Sequence, residues 1–424
     1  MKTTTYLSST LIELEDNYGA HNYHPLPVVL SKGDGVYVWD VEGKQYYDFL
    51  SAYSAVNQGH CHPRIINALI EQAGELTLTS RAFYNDQLGA YEKFVTEYFG
   101  FEKVLPMNTG AEGVETAIKI CRKWGYEKKG IPNGEAKIII CGQNFHGRTT
   151  TIISFSSDPD AKGHFGPYTP GFHSIPYNDL EALKAVLQKE GDRVAGFLFE
   201  PIQGEAGVFV PDEDFIRAAA TLCQQHQVLF IADEIQTGIA RTGSLLAVCG
   251  NCTCQGPCER QATYTKPDIL ILGKALSGGV YPVSAVLADN HIMEVIRPGQ
   301  HGSTFGGNPL ACAVAVAALN VVKDEKLAQN ARHLGELFRM RMNRLIEKTN
   351  LIQLVRGKGL LNAIVINDTP QSKTAWNICM QLAENGLLAK PTHGNIIRFA
   401  PPLVMTEEQM HECCDIIERT ILNY

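Results

Sequence analysis

One lysine stands where a side-chain amine could react. Lys274 follows the apolar run Ile269–Leu272 and lies between Gly273 and Ala275. A lysine at the end of a buried strand is poorly solvated, which lowers its pKa and favours the neutral amine. A neutral lysine amine can form a Schiff base with a carbonyl compound. Taken alone, the same pattern is also explained by a strand-end lysine that extends its charge into water.

A carboxylate at the end of a second apolar run strengthens the prediction that the lysine is reactive. Asp233 follows the run Val228–Ala232. Enzymes that use pyridoxal 5′-phosphate (PLP) need a lysine for the cofactor aldehyde and a carboxylate for the pyridine nitrogen. Lys274 and Asp233 together therefore predict PLP chemistry, although an aspartate at this place could also be a simple helix cap.

Two glycine-containing loops could bind a phosphate group. Residues 108–113 precede a helical pattern that carries Val114, Ala117 and Ile118, and residues 301–309 form a second glycine-rich loop ahead of a helix. The N-terminus of a helix offers free N–H groups and a favourable dipole to phosphate, but many helices begin in this way with an ordinary cap. Neither loop contains the GxxxxGK[ST] pattern of nucleotide-binding loops.

The elements that position these residues form a strand and helix alternation. Four short apolar runs are typical of strands buried on both faces: Lys137–Cys141, Val194–Phe199, Val228–Ala232 and Ile269–Leu272. A helical pattern spans Asp212–Gln227, and residues 34–50 alternate as a hairpin does. A mostly parallel sheet follows from this order, and ligands collect outside the carboxyl ends of such strands. The first two runs lead into Asn144–Arg148 and Glu200–Glu205, so all four ends carry polar groups.

Composition excludes several classes of protein. The 424 residues are 45% hydrophobic, enough for a large core, and the net charge of −8 argues against general nucleic-acid binding. No apolar run is long enough for a membrane helix. Residues 1–19 lack both a signal core and the arginine-rich character of a transit peptide, which predicts a cytoplasmic protein.

The segment from Leu229 to Gly238, followed by Lys274 and by Gly302-Ser303-Thr304, resembles the class III aminotransferases of PLP fold-type I. The resemblance covers nearly the whole chain. It implies an α/β fold: a large domain with a mostly parallel central sheet and a smaller α+β domain made from both chain ends. We place the boundaries at residues 1–60, 61–318 and 319–424, with an insertion at about 249–263.

The resemblance also implies roles for individual residues at the cofactor. Lys274 would form the Schiff base with PLP and move a proton, and Asp233 would hold the pyridine nitrogen. The other cofactor contacts would come from the phosphate-binding Gly110 and Ala111, Phe145 against the ring face, Gln236 at the ring hydroxyl, and Ser303 and Thr304 from a neighbouring subunit. Each site would then need two chains, so the resemblance predicts a homodimer with shared active sites.

Four further segments resemble the ornithine-specific members of that family: residues 19–25, 53–60, 200–207 and 398–402. They imply transfer of the δ-amino group of ornithine to 2-oxoglutarate. Tyr23, Tyr53 and Arg148 would bind the distal end of ornithine. Arg398 would bind the second carboxylate of 2-oxoglutarate, with Glu205 neutralising it while ornithine is bound. An ordinary ion pair on a cleft wall is the alternative for that last pair.

Other activities stay open at this point. The same residues would serve a class III aminotransferase for acetylornithine, lysine or 4-aminobutyrate, and an aminomutase on the same fold would not require 2-oxoglutarate. A metal-binding or interaction module that has lost catalysis is the alternative from another class of protein. The simultaneous presence of Lys274, Asp233, Arg148 and Arg398 argues against it.

The twelve cysteines suggest no disulfide framework, because nothing in the sequence indicates export. We expect six scattered cysteines to be buried small hydrophobes: Cys61, Cys121, Cys141, Cys223, Cys312 and Cys379. Cys413 and Cys414 are adjacent in a predicted helix. The remaining four, Cys249, Cys252, Cys254 and Cys258, could bind a structural zinc ion, pair as disulfides or stay as free thiols.

Overall fold

The computed structural model describes residues 7–250 and 265–424. Its strands are β1 (Leu30–Asp34), β2 (Tyr37–Asp40), β3 (Gln45–Asp48), β4 (Lys103–Met107), β5 (Lys137–Cys141), β6 (Phe172–Ile175), β7 (Val194–Phe199), β8 (Leu229–Asp233), β9 (Ile269–Leu272), β10 (Ser284–Ala288), β11 (Ile352–Lys358), β12 (Leu361–Ile366), β13 (Leu387–Leu388), β14 (Lys390–Thr392) and β15 (Ile396–Phe399).

The helices lie between and around these strands. They are α1 (Ser8–Tyr18), α2 (Ser51–Ser54), α3 (Pro63–Glu75), α4 (Leu88–Phe99), α5 (Gly110–Glu127), α6 (Thr150–Ile153), α7 (Pro159–Lys162), α8 (Leu180–Glu190), α9 (Phe215–Gln225), α10 (Asn290–Met293), α11 (Pro309–Asp324), α12 (Leu327–Ile346), α13 (Thr374–Glu384) and α14 (Glu407–Leu422). Short 3₁₀ turns occupy Gly191–Arg193, Ala247–Cys249 and Lys274–Ser277.

The central sheet confirms the predicted α/β fold. Seven strands lie in the order β4-β10-β9-β8-β7-β5-β6. The pairs β5–β6, β5–β7, β7–β8 and β8–β9 are parallel, whereas β10 runs antiparallel to both of its neighbours. Because the parallel strands all end at one edge, the polar residues that follow them meet there.

Burial on both faces explains the unbroken apolar runs of the sheet. Every residue of β7, β8, β9 and β10 is buried. Helix α5 packs on one face, where Gly113 permits a close approach: a Cβ there would lie 3.0 Å from a methyl group of Ile271. This packing fixes the N-terminus of α5 beside the strand ends.

Two smaller sheets contain the remaining strands. One has the order β1-β2-β3-β13, and the other β11-β12-β15-β14. The β2–β3 pair is the predicted hairpin, and β13 from the C-terminal part of the chain adds to β3 in parallel. The two ends of the chain therefore meet in one sheet, as the resemblance implied. The domain boundaries at residues 60 and 318 stay a prediction.

Several local predictions need correction. Cys61 is exposed rather than buried, and its backbone has a positive φ of 51° in the turn before α3. Helix α9 begins three residues later than the predicted Asp212 because Asp212–Asp214 lie in the turn that leads into it. The other five scattered cysteines are buried as expected, as are Cys413 and Cys414 in α14. In the described part of the chain, no helix is long and apolar enough to cross a membrane.

Candidate active site

A cavity opens at the carboxyl ends of the parallel strands. It brings together most of the predicted cofactor residues, and its lining consists of Gly110, Ala111, Phe145, His146, Gly147, Glu200, Ile202, Glu205, Asp233, Ile235, Gln236, Thr237 and Lys274. These residues come from the ends of β5, β7, β8 and β9 and from the start of α5. The strand order and the packing of α5 therefore bring five separate sequence segments into one site.

Lys274 begins the 3₁₀ turn that follows β9. Its backbone is left-handed, with φ 44°, a conformation that is uncommon for a residue with a Cβ. Burial lowers the pKa of its amine, and the positive charge of Arg398 acts in the same direction. The carboxylates of Glu205, Asp233 and Glu200 oppose this shift without cancelling it. A larger fraction of neutral amine results, as a nucleophilic lysine requires.

Asp233 is the last residue of β8, and both of its carboxylate oxygens are fixed. Oδ2 accepts a hydrogen bond from Nδ1 of His146 at 2.6 Å, and Oδ1 accepts one from the Ile235 N–H at 3.1 Å. The side chain is buried beside the cavity. A carboxylate held in this way has little freedom to turn, and it would present a fixed negative charge to a pyridine nitrogen in the cavity.

Glu200 lines the cavity next to Phe145. Its Oε1 accepts the Phe145 N–H at 2.9 Å, which fixes the loop that presents the aromatic ring. Burial raises the pKa of this carboxyl to about 8, and the carboxylates of Asp233 and Glu205 add to the rise. Glu200 and His146 were not among the predicted site residues, although Glu200 follows β7 and His146 follows β5, as Asp233 ends β8.

The first turn of α5 is prepared to bind an anion. Thr109 and Glu112 form a capping box in which Thr109 accepts the Glu112 N–H and Glu112 accepts the Asn108 and Thr109 N–H groups. Within the described ranges, the N–H groups of Gly110 and Ala111 donate no hydrogen bond. Both residues line the cavity. Their free N–H groups are suited to a phosphate.

A polar network links the segments that follow β7 and β8 to β15. Oε1 of Glu205 accepts hydrogen bonds from Nη1 of Arg398 at 2.8 Å and from Nε2 of Gln236 at 2.9 Å. Burial would raise the pKa of Glu205, but Arg398 and Lys274 hold it below its ordinary value. The guanidinium of Arg398 also lies 5.1 Å from the ring centroid of Tyr53. The predicted partners Glu205 and Arg398 thus form an ion pair within the site.

Tyr53 is positioned by strained backbone. All four residues of α2 have positive φ values: 46° for Ser51, 46° for Ala52, 59° for Tyr53 and 71° for Ser54. A left-handed turn of residues with side chains costs about 1–2 kcal/mol per residue. Such strain persists where the surrounding structure imposes it, often at ligand sites.

The other predicted substrate residues lie at the mouth of the site. Tyr23 is exposed and near enough to Tyr53 to affect its pKa, which burial raises above its ordinary value. Arg148 is exposed, with its guanidinium 5.8 Å from the Phe145 ring centroid. It lines a second cavity that also includes Glu205 and adjoins the first at Phe145 and His146.

Ser303 and Thr304 lie outside the cavity of their own chain. Ser303 Oγ accepts a hydrogen bond from Asn108 Nδ2 at 2.7 Å, next to the start of α5, and Thr304 is exposed. Donation of these side chains to a neighbouring subunit stays a prediction.

The cysteine segment is described only at its start. Cys249 is buried at the end of a 3₁₀ turn, whereas Cys252, Cys254 and Cys258 lie outside the described residues. Within residues 7–250 and 265–424, no group of three or more His, Cys, Asp or Glu side chains is arranged to hold a metal ion. The predicted zinc site gains no support.

The residues present fit PLP. The cavity supplies an amine for the aldehyde, a fixed carboxylate for the pyridine nitrogen and two free N–H groups for the phosphate. Oε1 of Gln236 is buried without a partner in the part of the chain that the structure describes, so it can accept a hydrogen bond from the ring hydroxyl. A Cβ at position 204 would lie 1.5 Å from this oxygen, so any residue other than glycine there would displace the Gln236 carboxamide.

Comparison with known proteins agrees with this geometry. The model of the class III aminotransferases matches residues 18–421. The mitochondrial ornithine aminotransferase of Drosophila melanogaster is 58% identical over 96% of this chain and 90% of its own. An acetylornithine aminotransferase structure from Elizabethkingia anophelis is 67% identical, with a TM-score of 0.90 over 98% of this chain and 99% of its own.

A third relative is an ornithine aminotransferase structure from Toxoplasma gondii, reported with partial occupancy of PLP at its active site. It is 48% identical, with a TM-score of 0.93 over 99% of this chain and 95% of its own. The family model and these relatives span nearly the whole chain, including every residue of the cavity. The chain belongs to the class III aminotransferases.

Proposed function

We propose that this aminotransferase moves the δ-amino group of ornithine to 2-oxoglutarate. The observation that carries the proposal is the ion pair of Glu205 and Arg398 in the same cavity as Lys274. The two substrates differ in charge at the end near the cofactor. A cation that can be neutralised in one half-reaction and exposed in the other accommodates both.

PLP, when bound, supplies the aldehyde that takes up the amino group and the ring that accepts electrons from the reacting carbon. Asp233 would keep the pyridine nitrogen protonated, and Phe145 would cover one face of the ring. The amine of Lys274 removes the proton from the substrate carbon that bears the nitrogen. Its lowered pKa increases the fraction of the base form that this step needs.

The state of Arg398 selects the substrate for each half-reaction. While ornithine is bound, the hydrogen bond from Arg398 to Glu205 keeps the guanidinium neutralised. When 2-oxoglutarate enters, its second carboxylate displaces Glu205 and pairs with the guanidinium, which binds carboxylates in a two-pronged geometry. Gln236 can hold the displaced Glu205, because the two side chains are already hydrogen-bonded.

The distal end of ornithine would bind at the mouth of the site. Arg148 would pair with the α-carboxylate. Tyr23 and Tyr53 would offer phenol oxygens and ring faces to the α-ammonium group. With its distal end held at the mouth, ornithine would extend its δ-amine into the cavity towards Lys274.

Acetylornithine is the second candidate for the amino donor. The Elizabethkingia relative named for that substrate is 67% identical to this chain. Acetylation removes the α-ammonium charge that the two tyrosines would recognise, so a preference for the free amine separates the two candidates. We expect kcat/KM for ornithine to exceed that for acetylornithine, and the reverse ratio would reassign the substrate.

The reaction itself is easy to follow. Glutamate semialdehyde cyclises to pyrroline-5-carboxylate, which o-aminobenzaldehyde traps as a coloured product. The holoenzyme should give colour only with both ornithine and 2-oxoglutarate, and Lys274→Ala should abolish it, because the general base is lost. Lys266→Ala, which removes a lysine outside the cavity, is the matched control. No colour from the PLP-loaded protein would move the search to other amines.

We also propose a homodimer in which Ser303 and Thr304 complete the phosphate site of the partner. The exposed position of Thr304 and the open N-terminus of α5 support this arrangement. Chains with Lys274→Ala should be mixed with chains that carry Ser303→Ala and Thr304→Ala, at limiting PLP. A heterodimer would hold one intact site, so activity should rise above that of either variant. No rise after subunit exchange would refute the shared site.

Two finer expectations accompany the proposal. A cytoplasmic location rests on the sequence of the first residues alone, and the location of a tagged chain would test it. Zinc at Cys249, Cys252, Cys254 and Cys258 stays one alternative beside disulfides and free thiols. Metal analysis and thiol titration of the purified protein would separate these three.

A further inference from the structure

A carboxylate and a histidine hold the start of the left-handed turn α2. Oδ1 of Asp48 accepts the N–H groups of Leu50 at 2.8 Å and Ser51 at 3.0 Å. The other oxygen, Oδ2, lies 2.7 Å from Nε2 of His60. A carboxylate only accepts hydrogen bonds, so the proton of this contact belongs to Nε2. One chain of contacts therefore runs from His60 through Asp48 to the turn.

His60 is itself fixed by its backbone and by its ring. It forms an antiparallel bridge with Gly35, in which each residue donates its N–H to the carbonyl of the other, at 2.8 and 3.0 Å. The ring lies against Gly33 of β1, where an added Cβ would come within 2.9 Å of the imidazole. Only 22% of the His60 side chain and 11% of the Asp48 side chain are exposed. The histidine therefore has little freedom to leave Asp48.

The turn carries these contacts into the active site. The Tyr53 N–H donates to Leu50 O at 2.9 Å, and the Tyr53 ring lies 5.1 Å from the Arg398 guanidinium. Because residues with a Cβ disfavour positive φ, a run of four such residues needs contacts that hold it. The Asp48 carboxylate provides two of them at the point where the turn begins.

The hydrogen bond from His60 adds something that the two backbone contacts lack. Both backbone N–H groups bind the same oxygen of Asp48. A carboxylate held at one oxygen can rotate about its Cβ–Cγ bond. A donor on the second oxygen prevents this rotation, and hydrogen bonds to a carboxylate are among the stronger ones in proteins.

We propose that His60 is a positioning residue for the substrate: its Nε2–H fixes Asp48, which holds the left-handed turn that presents Tyr53 to the distal end of ornithine. His60 lines neither of the two adjoining cavities of the site, so it acts through Asp48 and the turn. The role of Tyr53 rests on the proposed function, whereas the effect of His60 on the turn can be measured without any substrate.

Amide hydrogen exchange of residues 48–55 in the PLP-loaded protein tests the effect on the turn. His60→Leu removes the donor, whereas the carboxamide of His60→Gln can place an N–H near the position of Nε2. We expect exchange about 10-fold faster in the leucine variant, the order of one hydrogen bond, and within about threefold of the wild type in the glutamine variant. Unchanged exchange in His60→Leu would overturn the proposal, as would equal acceleration in both variants. His60→Phe replaces the leucine variant if that one does not fold.

A double-mutant cycle tests whether His60 acts through Asp48. Adding His60→Leu to Asp48→Ala should accelerate exchange by less than about threefold, because the carboxylate is already gone. Independent, multiplicative effects would overturn the proposal. His333 provides the matched control, since its Nε2 contacts Oε2 of Glu407 at 2.8 Å between α12 and α14. His333→Leu should leave the exchange of residues 48–55 within about twofold of the wild type.

Steady-state kinetics test the consequence for the substrate. In His60→Leu the KM for ornithine should rise about 10-fold, while kcat and the PLP dissociation constant stay within about twofold, and His60→Gln should restore the KM. A normal KM in a variant whose turn exchanges faster would overturn the role in substrate positioning. Absence of ornithine turnover in the wild type would instead refute the proposed function, and the exchange measurement would still decide whether His60 holds the turn.

Discussion

Glu205 stands between two cations of the site, Arg398 and Lys274. It makes a hydrogen bond to the first, and its charge opposes the lowering of the pKa of the second. Removing the charge of Glu205 therefore affects both the substrate-binding arginine and the reactive lysine. Arg398 becomes available to any carboxylate, and the amine of Lys274 loses a nearby anion.

Glu205→Gln should have opposite effects on the two half-reactions. With Arg398 no longer neutralised, kcat/KM for ornithine should fall by about 10-fold, the order of one charge-assisted hydrogen bond. Reaction with glutamate in the reverse direction should rise. Single-turnover measurements with each amino donor would check this. Parallel losses for both donors would mean that Glu205 supports the fold of the site rather than its selectivity. Exposed Glu213→Gln is the control.

At the residue scale, the polar residues at the ends of predicted strands identified the reactive groups of the site. The residues that hold those groups in place were not identified. Lys274 and Asp233 could be predicted because each follows a short apolar run, and both lie in the cavity. His146 follows another such run but was not assigned a role. Its hydrogen bond to Asp233 depends on the order of β5, β7 and β8, and no local pattern encodes that order.

At the scale of elements, the left-handed turn of α2 has no signal in the sequence. Ser51–Ser54 contains no glycine, yet every residue has a positive φ. L-residues adopt this conformation only where tertiary contacts compensate for it. One such contact is the Asp48 carboxylate, which accepts the N–H groups of Leu50 and Ser51.

Ala52→Gly should stabilise the protein. Glycine removes the Cβ strain but loses more conformational freedom on folding, so we expect a net gain of about 0.5–1 kcal/mol in the free energy of unfolding. The KM for ornithine should rise, because Tyr53 is then held less firmly. Urea unfolding and steady-state kinetics test this. Ala73→Gly, in ordinary right-handed α3, should instead cost about 1 kcal/mol. A loss in both variants would show that α2 carries no strain.

The end of β8 also makes stability depend on pH. Glu234 is fully buried, accepts the Val248 N–H at 2.8 Å and a hydrogen bond from Thr237. Burial raises its pKa from 4.5 to about 7. A carboxyl whose folded pKa is raised contributes stability that is fully present below about pH 4.5 and is lost as the pH rises through 7.

Glu234→Gln should remove this dependence. Glutamine keeps the shape and most hydrogen bonds but does not ionise. Relative to the wild type, the variant should gain about 1–3 kcal/mol in the free energy of unfolding between pH 5 and pH 8. Urea unfolding at both pH values measures the difference. A constant difference would mean that Glu234 is ionised in the folded protein throughout this range.

At the scale of the whole molecule, Arg241 connects three parts of the chain. Its buried guanidinium donates to Asn57 Oδ1 at 2.6 Å from the N-terminal part, and to Leu360 O at 2.8 Å and Pro401 O at 2.6 Å from the C-terminal part. Burial lowers its pKa to about 9. The resemblance predicted that the chain ends meet, but nothing in the sequence around Arg241 indicated that it would join them.

Arg241→Gln should destabilise the whole fold by about 3–5 kcal/mol, because three buried acceptors lose their donor. Unfolding in urea of the PLP-loaded protein, followed by circular dichroism, measures the loss. Arg344→Gln, at an exposed position of α12, is the control and should change stability by less than about 0.5 kcal/mol. A small effect at Arg241 would mean that the N- and C-terminal parts are held together by their sheet alone.

The pairing of β3 with β13 has a consequence for synthesis on the ribosome. Lys44 Nζ donates to Ala383 O across 339 positions of sequence, so the first sheet lacks its fourth strand until almost the entire chain has been translated. At about 5–20 residues per second, this interval lasts on the order of 20–70 s. During that time the edge of β3 is unpaired, and a nascent chain in this state is a natural client for a chaperone.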